Sequence, residues 1–403
     1  GNRENFSGLR VMLGITDDDQ VQAARSEDGN IRAFVANGDL WCYNQQERQA
    51  VGIFSFRSPS EEGIRPAYQD YGLKILKAED NGDVDFLVYG YMSRGYHEGC
   101  MGIVMYHYSA REDGLVERFF VPVSQSSEEL KLNIEELSYL SSSAMLYLKV
   151  GSGIYGIDLT SNEYMVVAEG LPEGGYAISQ NGRRLAWQEG TSVYQSRTIH
   201  LLDLETGEKN EILSQNGDYL RVLGFVGNDF IYGLAGENSH WVVNGRQEEL
   251  PMYALEILGE DMEVQTRYEK PGYYIAGVSI GESRIHLKRI MPVSGDTYRL
   301  VDEDTIVCNA KIDDERLSGI GWYVDGERNK VYFAQLGTEV RGGSQISFSS
   351  PGKITYENSE ILNLASSVSV PGLNFYAYGG GRLLGITQDF AKAVGMAHEE
   401  MGT

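Results

Sequence analysis

Few residues in this chain stand at spacings that chemistry requires, and each such group reads more readily as scaffold. Gly277-Val278-Ser279-Ile280-Gly281 has the Gly-x-Ser-x-Gly pattern of a nucleophile elbow. An elbow needs a strand before the serine and a helix after it, so that Oγ is held on a tight turn. Here Arg284-Ile285-His286-Leu287-Lys288 follows and alternates like a strand, which predicts a hairpin. The six histidines (His97, His107, His200, His240, His286 and His398) include no HExxH and no pair at ligand spacing, so no metal or other cofactor is expected. Acidic turns occur at Thr16-Asp17-Asp18-Asp19, Glu79-Asp80-Asn81-Gly82-Asp83 and Asp302-Glu303-Asp304. The second suggests a calcium loop but lacks the bidentate glutamate at position twelve, so a solvated turn is the reading. Gly379-Gly380-Gly381 leads into Arg382 and a strand-like run, whereas a phosphate cradle leads into a helix. Catalytic residues are therefore not assigned.

Stepping from these groups to the elements around them, the 403 residues carry 34 basic and 58 acidic side chains, a net charge of −24. That charge repels phosphate backbones and anionic lipid, which excludes a nucleic-acid-binding body and favours a monomer. A hydrophobic content of 42% is enough for a core. Forty-eight glycines and 26 tyrosines against only nine prolines point to β-structure with many tight turns. Cys42, Cys100 and Cys308 lie far apart, each in or beside an apolar run, so no disulfide framework is expected and buried thiols are. The acidic, cysteine-poor composition suits a bacterial protein exported or anchored at the cell surface. The first Gly suggests tag removal, and an export signal trimmed before it would fit.

Strand-like runs recur, bounded by Gly, Asn or Asp. The clearest unit runs from Ala177 to Leu213: a strand, the turn Asn181-Gly182, a strand through Trp187, a third at Thr198–Leu204, the turn Glu205–Gly207, and a fourth to Leu213. Four antiparallel strands in about 40 residues make one blade-sized sheet. Taking the second strand of each unit as a ruler, the markers are Ile31, Val84, Met145, Leu185, Phe230, Ile285, Val331 and Phe375, spaced 40 to 61 residues apart.

Ser179-Gln180-Asn181-Gly182-Arg183-Arg184-Leu185-Ala186-Trp187 resembles the S-P-D-G-x-x-I-A hairpin of TolB-type and WD-repeat propellers. Leu202-Asp203-Leu204-Glu205-Thr206-Gly207-Glu208 resembles their D-x-x-T-G turn, and Ser26-Glu27-Asp28-Gly29-Asn30 is a looser echo. The chain departs from the pattern in lacking proline in the turn and the Gly-His…Trp-Asp signature. The resemblance is to the β-propeller superfamily in general and implies an all-β propeller of four-stranded antiparallel blades. It covers residues 1–403 as a single domain, with blades from about 17 to 387. Eight blades are favoured over seven, closed by the two termini, with the strand at 9–15 completing the last blade beside Phe375–Ile386. A pair of β-sandwich domains is the rival architecture. A short helix is expected over 388–400, where Phe390, Ala393, Val394 and Ala397 share a face.

In a propeller the loops joining second to third strands share one face. The longest here are Met92–Met101, Gln188–Arg197, Gly236–Pro251 and Leu336–Ser344. Long loops on a rigid scaffold carry binding. The candidate ligand-binding residues are Arg94, Tyr96, His97, Tyr194, His240, Trp241 and Arg341, with the 92–101 and 236–251 insertions expected to flank the site. The function read here is a non-catalytic scaffold for an unknown protein or glycan. The alternative is a propeller enzyme acting on glycans, with carboxylates such as Glu135, Glu136 and Asp218 read as strand-start acids.

Overall fold

The computed structural model describes residues 9–15, 21–55, 71–92, 95–190, 192–237, 239, 241–243, 247–294, 297–308, 319–336, 353–356, 359–364, 375–379, 382–387 and 393–397. Strand β1 (Leu9–Met12) comes first. The first sheet is a meander of β2 (Ala23–Arg25), β3 (Ile31–Ala36), β4 (Asp39–Asn44) and β5 (Gln49–Phe54). The second is β6 (Tyr71–Ala78), β7 (Val84–Tyr91), β8 (Met101–Ser109) and β9 (Gly114–Pro122), followed by helix α1 (Ser127–Glu136). The third is β10 (Ser138–Leu140), β11 (Met145–Val150), β12 (Gly153–Asp158) and β13 (Tyr164–Ala168). The fourth is β14 (Tyr176–Ile178), β15 (Arg184–Gln188), β16 (Thr198–Asp203) and β17 (Lys209–Leu213).

The fifth sheet pairs β18 (Tyr219–Val226), β19 (Asp229–Ala235), β22 (Ala254–Leu258) and β23 (Val264–Glu269). A side hairpin of β20 (Trp241–Val243) and β21 (Gln247–Glu249) interrupts it. In the sixth, the eleven-residue β25 (Arg284–Ser294) pairs with β24 (Tyr274–Ile280) along one edge. Its other edge is shared by β26 (Thr297–Leu300) and β27 (Asp304–Val307). The seventh joins β28 (Ile320–Val324), β29 (Lys330–Leu336) and β1, in antiparallel register from Leu9 opposite Leu336 to Met12 opposite Phe333.

Seven of the eight ruler positions fall on the second strand of a sheet, because each repeat places its second strand just after a tight turn. The eighth, Phe375, instead opens a two-stranded sheet of β32 (Phe375–Gly379) and β33 (Arg382–Thr387). The N-terminal strand thus joins the preceding unit, not this hairpin. Between them, β30 (Lys353–Thr355) and β31 (Glu360–Ile361) run parallel along β9 and extend the second sheet. In the C-terminal region a helix covers 393–397; the flanks expected to share it lie outside the described residues. Among the described residues no helix is long and apolar enough to cross a membrane.

The contacts divide the chain into two compact units. Unit 1 is 1–138, 157–164 and 314–403; unit 2 is 139–156 and 165–313, so the division passes through the third sheet. Within unit 1, alternate residues of the first sheet point to opposite faces, and both faces are buried. Phe34 and Tyr43 pack with Tyr332 and Leu336 of the seventh sheet. Ala33, Leu40 and Ile53 pack with Val84, Phe86 and Val104 of the second. Within unit 2 the fifth sheet repeats this: Phe230 and Tyr232 meet Ile199 and Leu201 of the fourth, while Ile231 meets Ile285 and Leu287 of the sixth. A sheet buried on both faces between two others is not a layer of a two-sheet sandwich, and successive meanders packed face to face are blade architecture.

The hairpin that carried the resemblance has a physical basis. Ser179 Oγ accepts the Arg184 amide at 2.8 Å and donates to Asn181 Oδ1 at 2.8 Å, with Gly182 at φ +73. Ser26 Oγ does the same for Ile31 (3.0 Å) and Asp28 (2.7 Å). A third copy, which sequence reading missed, uses Ser141 Oγ and the Met145 amide (3.1 Å), with Ala144 in the left-handed position at φ +63. Only glycine adopts that conformation freely, so the alanine disguised the motif.

Candidate functional site

Helix α1 borders a cleft in unit 1. Ser126 caps the helix, its Oγ accepting the Glu129 amide at 3.2 Å, and Leu130, Asn133 and Ile134 bury its inner face. Glu135 and Glu136 therefore end a helix; they do not start a strand. The signal was present in Ser126-x-x-Glu129, a capping box before apolar residues at helical spacing. The cleft, of about 480 Å³, is lined by apolar Val35 and Leu73 and by Tyr71, Tyr89, Lys131 and Glu135 among its polar groups. It opens where the β3–β4 turn, the start of β6, the end of β7 and the helix after β9 come together.

Two features shape this cleft. Tyr71 donates its hydroxyl to the Gly38 carbonyl at 3.4 Å. Tyr89 lies opposite Gly72 in the β6–β7 register, and a Cβ at Gly72 would sit 2.3 Å from the tyrosine ring. The absent side chain at Gly72 is what seats Tyr89. Burial, reinforced by the Glu135 charge, pushes the Tyr89 phenol well above its usual range and keeps it a neutral donor. Lys131 and Glu135 pair on the rim at 3.7 Å, one helical turn apart. A cation, a carboxylate and two phenols beside apolar lining residues suit the recognition of a partly polar ligand.

The 92–101 loop splits its predicted residues between two roles. Tyr96 is 75% exposed. His97 turns inward, stacks on Phe120 at 3.9 Å and places Nε2 2.7 Å from Glu117 Oε1. Glu117 is completely buried and also receives the hydroxyls of Tyr106 (3.3 Å) and Ser359 (2.5 Å). Burial, then the Glu117 charge, pushes the Tyr106 phenol far up. The network closes on itself and fastens the loop and the strand-like segment before β31 to β9. Tyr96 extends from it, 5.5 Å from the Tyr356 ring. Arg94 lies outside the described residues.

In unit 2, Tyr194 lies beside Arg221, whose guanidinium is 5.8 Å from its ring. Trp241 is 9% exposed, packed 5.9 Å from the Tyr298 ring under its own hairpin. Tyr298 of the sixth sheet thus packs against the indole that sequence reading offered to a ligand. His240 and Arg341 lie outside the described residues. Arg221 and Gln188 were not singled out, because an arginine at a strand start has no sequence signature.

The remaining candidates for chemistry are engaged in structure. Ser279 lies in β24 opposite His286 of β25, a hairpin and not an elbow. In the Glu79–Asp83 turn, Asp80 accepts the Asp28 amide (3.0 Å) and Asp83 the Ala110 amide (2.8 Å). Asp218 accepts the Tyr253 hydroxyl at 2.7 Å. Among the described residues no cluster of three His, Cys, Asp or Glu side chains is arranged to hold a metal ion. Cys42 is buried, its thiol pushed up to about 12 by burial and the nearby Asp83; Cys100 and Cys308 are half-buried.

No protein-family model matches the chain, and no curated protein sequence matches it. Among solved structures it is similar to the tricorn protease at 12% identity, over 86% of this chain and 36% of that one, with a TM-score of 0.31. It is similar to the β-propeller domain of the Trilobed protease from Pyrococcus furiosus at 13% identity (70% and 83% covered, TM-score 0.30). TolB from Acinetobacter baumannii also matches at 13% identity (70% and 86% covered, TM-score 0.24). The chain resembles β-propeller proteins, and its repeated meanders, the first and fifth buried on both faces, pack as blades do.

Proposed function

We propose that the chain is a non-catalytic binding scaffold of propeller type, with a protein or glycan ligand recognised at the unit 1 cleft. The observation that carries the reading is the cleft itself: Tyr71, Lys131, Glu135 and Tyr89, the last seated over Gly72, beside apolar Val35 and Leu73. The acid–base pairs elsewhere are hydrogen-bonded to each other: His97 of the 92–101 loop with Glu117 of β9, and His107 of β8 with Asp85 of β7. Tyr96 adds an exposed aromatic on a braced loop. An extracytoplasmic, surface-anchored setting belongs to the proposal and is supported by the acidic, cysteine-poor composition; fractionation of the producing cells tests it. The test of the binding role is a peptide and glycan array probed with the full chain, the Lys131→Ala variant and the Gly72→Ala variant. Hits that vanish in the variants while the fold is retained support the cleft. Hits that persist in both, or turnover of a chromogenic glycoside by the wild type, overturn it.

A further inference from the structure

Unit 2 contains a half-buried arginine whose acceptors are neutral. Arg221, in β18, donates from Nη1 to the Gly174 carbonyl and to Gln188 Oε1 at 3.0 Å. Gln188 is 2% exposed and itself locked: Oε1 also accepts the Val222 amide at 2.9 Å, and Nε2 donates to the Val193 carbonyl at 3.0 Å. Several other arginines of this unit pair with carboxylates, although Arg184 donates to the Asn228 carbonyl. Arg183 pairs with Asp203 at 3.0 Å, Arg197 with Glu237, and Arg267 with Glu256 and Glu269. Among the described residues Arg221 has no carboxylate, in a chain with 58 acidic and 34 basic side chains.

The surroundings hold the guanidinium in place without using all of its donors. Its two bonds both leave from Nη1, and a guanidinium carries five N–H donors in a planar fork. Gly174 (φ +70) has no side chain next to it; a Cβ there would lie 3.2 Å from Nη2. Tyr194 faces the group from the 188–197 loop. Burial pulls the proton affinity of Arg221 down, with Tyr194 opposing, as expected of a desolvated cation without a counter-charge.

We propose that Arg221, framed by Tyr194, Gln188 and Gly174, is a docking point for a carboxylate carried by an acidic side chain of a peptide ligand. The planar fork matches the two oxygens of a carboxylate, which a point charge would not orient. At a net charge of −24 the surface as a whole repels anions, so retention of one reports this site. The site uses no residue of the unit 1 cleft and stands or falls separately.

The experiment compares two dansyl-labelled peptides on the full chain, one with four glutamates and its counterpart with four glutamines. The glutamate peptide is expected to bind at least tenfold more tightly. Arg221→Gln should reduce it to the glutamine level, Arg221→Lys should retain part of the preference, and Tyr194→Ala should weaken binding severalfold with both Nη1 bonds intact. If Arg221→Gln fails to fold, phenylglyoxal labelling of the wild type decides instead. Modification mapped to Arg221 and suppressed by the glutamate peptide supports the site. Equal affinity for the two peptides, wild-type binding by Arg221→Gln, or no protection of Arg221 overturns it. Inorganic phosphate competing as well as the glutamate peptide overturns the assignment to carboxylates.

Discussion

His97 Nε2 lies 2.7 Å from Oε1 of Glu117, a carboxylate with no solvent exposure in the middle of β9. A loop that projects Tyr96 into solvent is thereby anchored by the next residue in the chain. Removing the imidazole takes one of three hydrogen-bond partners from a buried carboxylate, which costs about 1–3 kcal/mol. His97→Ala is expected to lower the melting temperature markedly, whereas Tyr96→Ala should leave it unchanged. Thermal denaturation followed by circular dichroism checks both, and equal melting of His97→Ala and wild type would refute the anchoring role.

The packing of Tyr89 over Gly72 makes a second expectation. Gly72→Ala forces a methyl into the ring, and overpacking of this kind costs about 1–3 kcal/mol. The damage should be relieved in the double variant Gly72→Ala/Tyr89→Leu, which a double-mutant cycle of denaturant midpoints measures. Strict additivity of the two changes would contradict the contact.

His107 supplies a pH dependence. Its hydrogen bond to Asp85 (2.9 Å) raises its proton affinity, burial opposes this, and the Asp85 charge adds to the rise; Asp83 lies 3.7 Å from the other ring nitrogen, and Arg118 acts against it. A folded-state pKa above the ordinary imidazole value of about 6.5 contributes stability fully present below that value. The contribution is lost as the pH rises through the raised value. Wild type should lose stability relative to His107→Asn as the pH rises from about 6.5 through the raised value, and parallel stability curves would count against the pairing.

The side hairpin β20–β21 buries Trp241 against Tyr298. Trp241→Ala is expected to cost about 3–5 kcal/mol as a large-to-small core change. Deletion of 237–249 should likewise lower the melting temperature. A deletion variant that melts as wild type and has lost an array ligand would return the insertion to a binding role.

Ser179→Ala removes the oxygen that accepts the Arg184 amide within the blade hairpin. The buried amide is left without its partner, at about 1–3 kcal/mol. The same substitution at Ser26 should behave alike, since Ile31 depends on it in the same way. Hydrogen exchange at the Arg184 and Ile31 amides reads the effect locally, and unchanged protection would sink it.

What the sequence by itself determined is the strand repeat. Tight turns of Ser-x-Asn/Asp-Gly type and alternating apolar residues are local, so seven second strands could be placed from them alone. Helix α1 was legible in principle from Ser126 and Glu129, yet the surrounding strand rhythm masked it. The fate of single side chains was decided only in three dimensions. His97 and Tyr96 are adjacent in sequence and alike in loop context, but a carboxylate twenty residues away draws one inward and leaves the other exposed. Trp241 packs on Tyr298, 57 residues on, and among the described residues Arg221 donates to neutral acceptors of Gly174 and Gln188 on earlier segments. Local backbone preferences write the meander into the chain, whereas burial and charge pairing depend on which distant residues the packed sheets bring together.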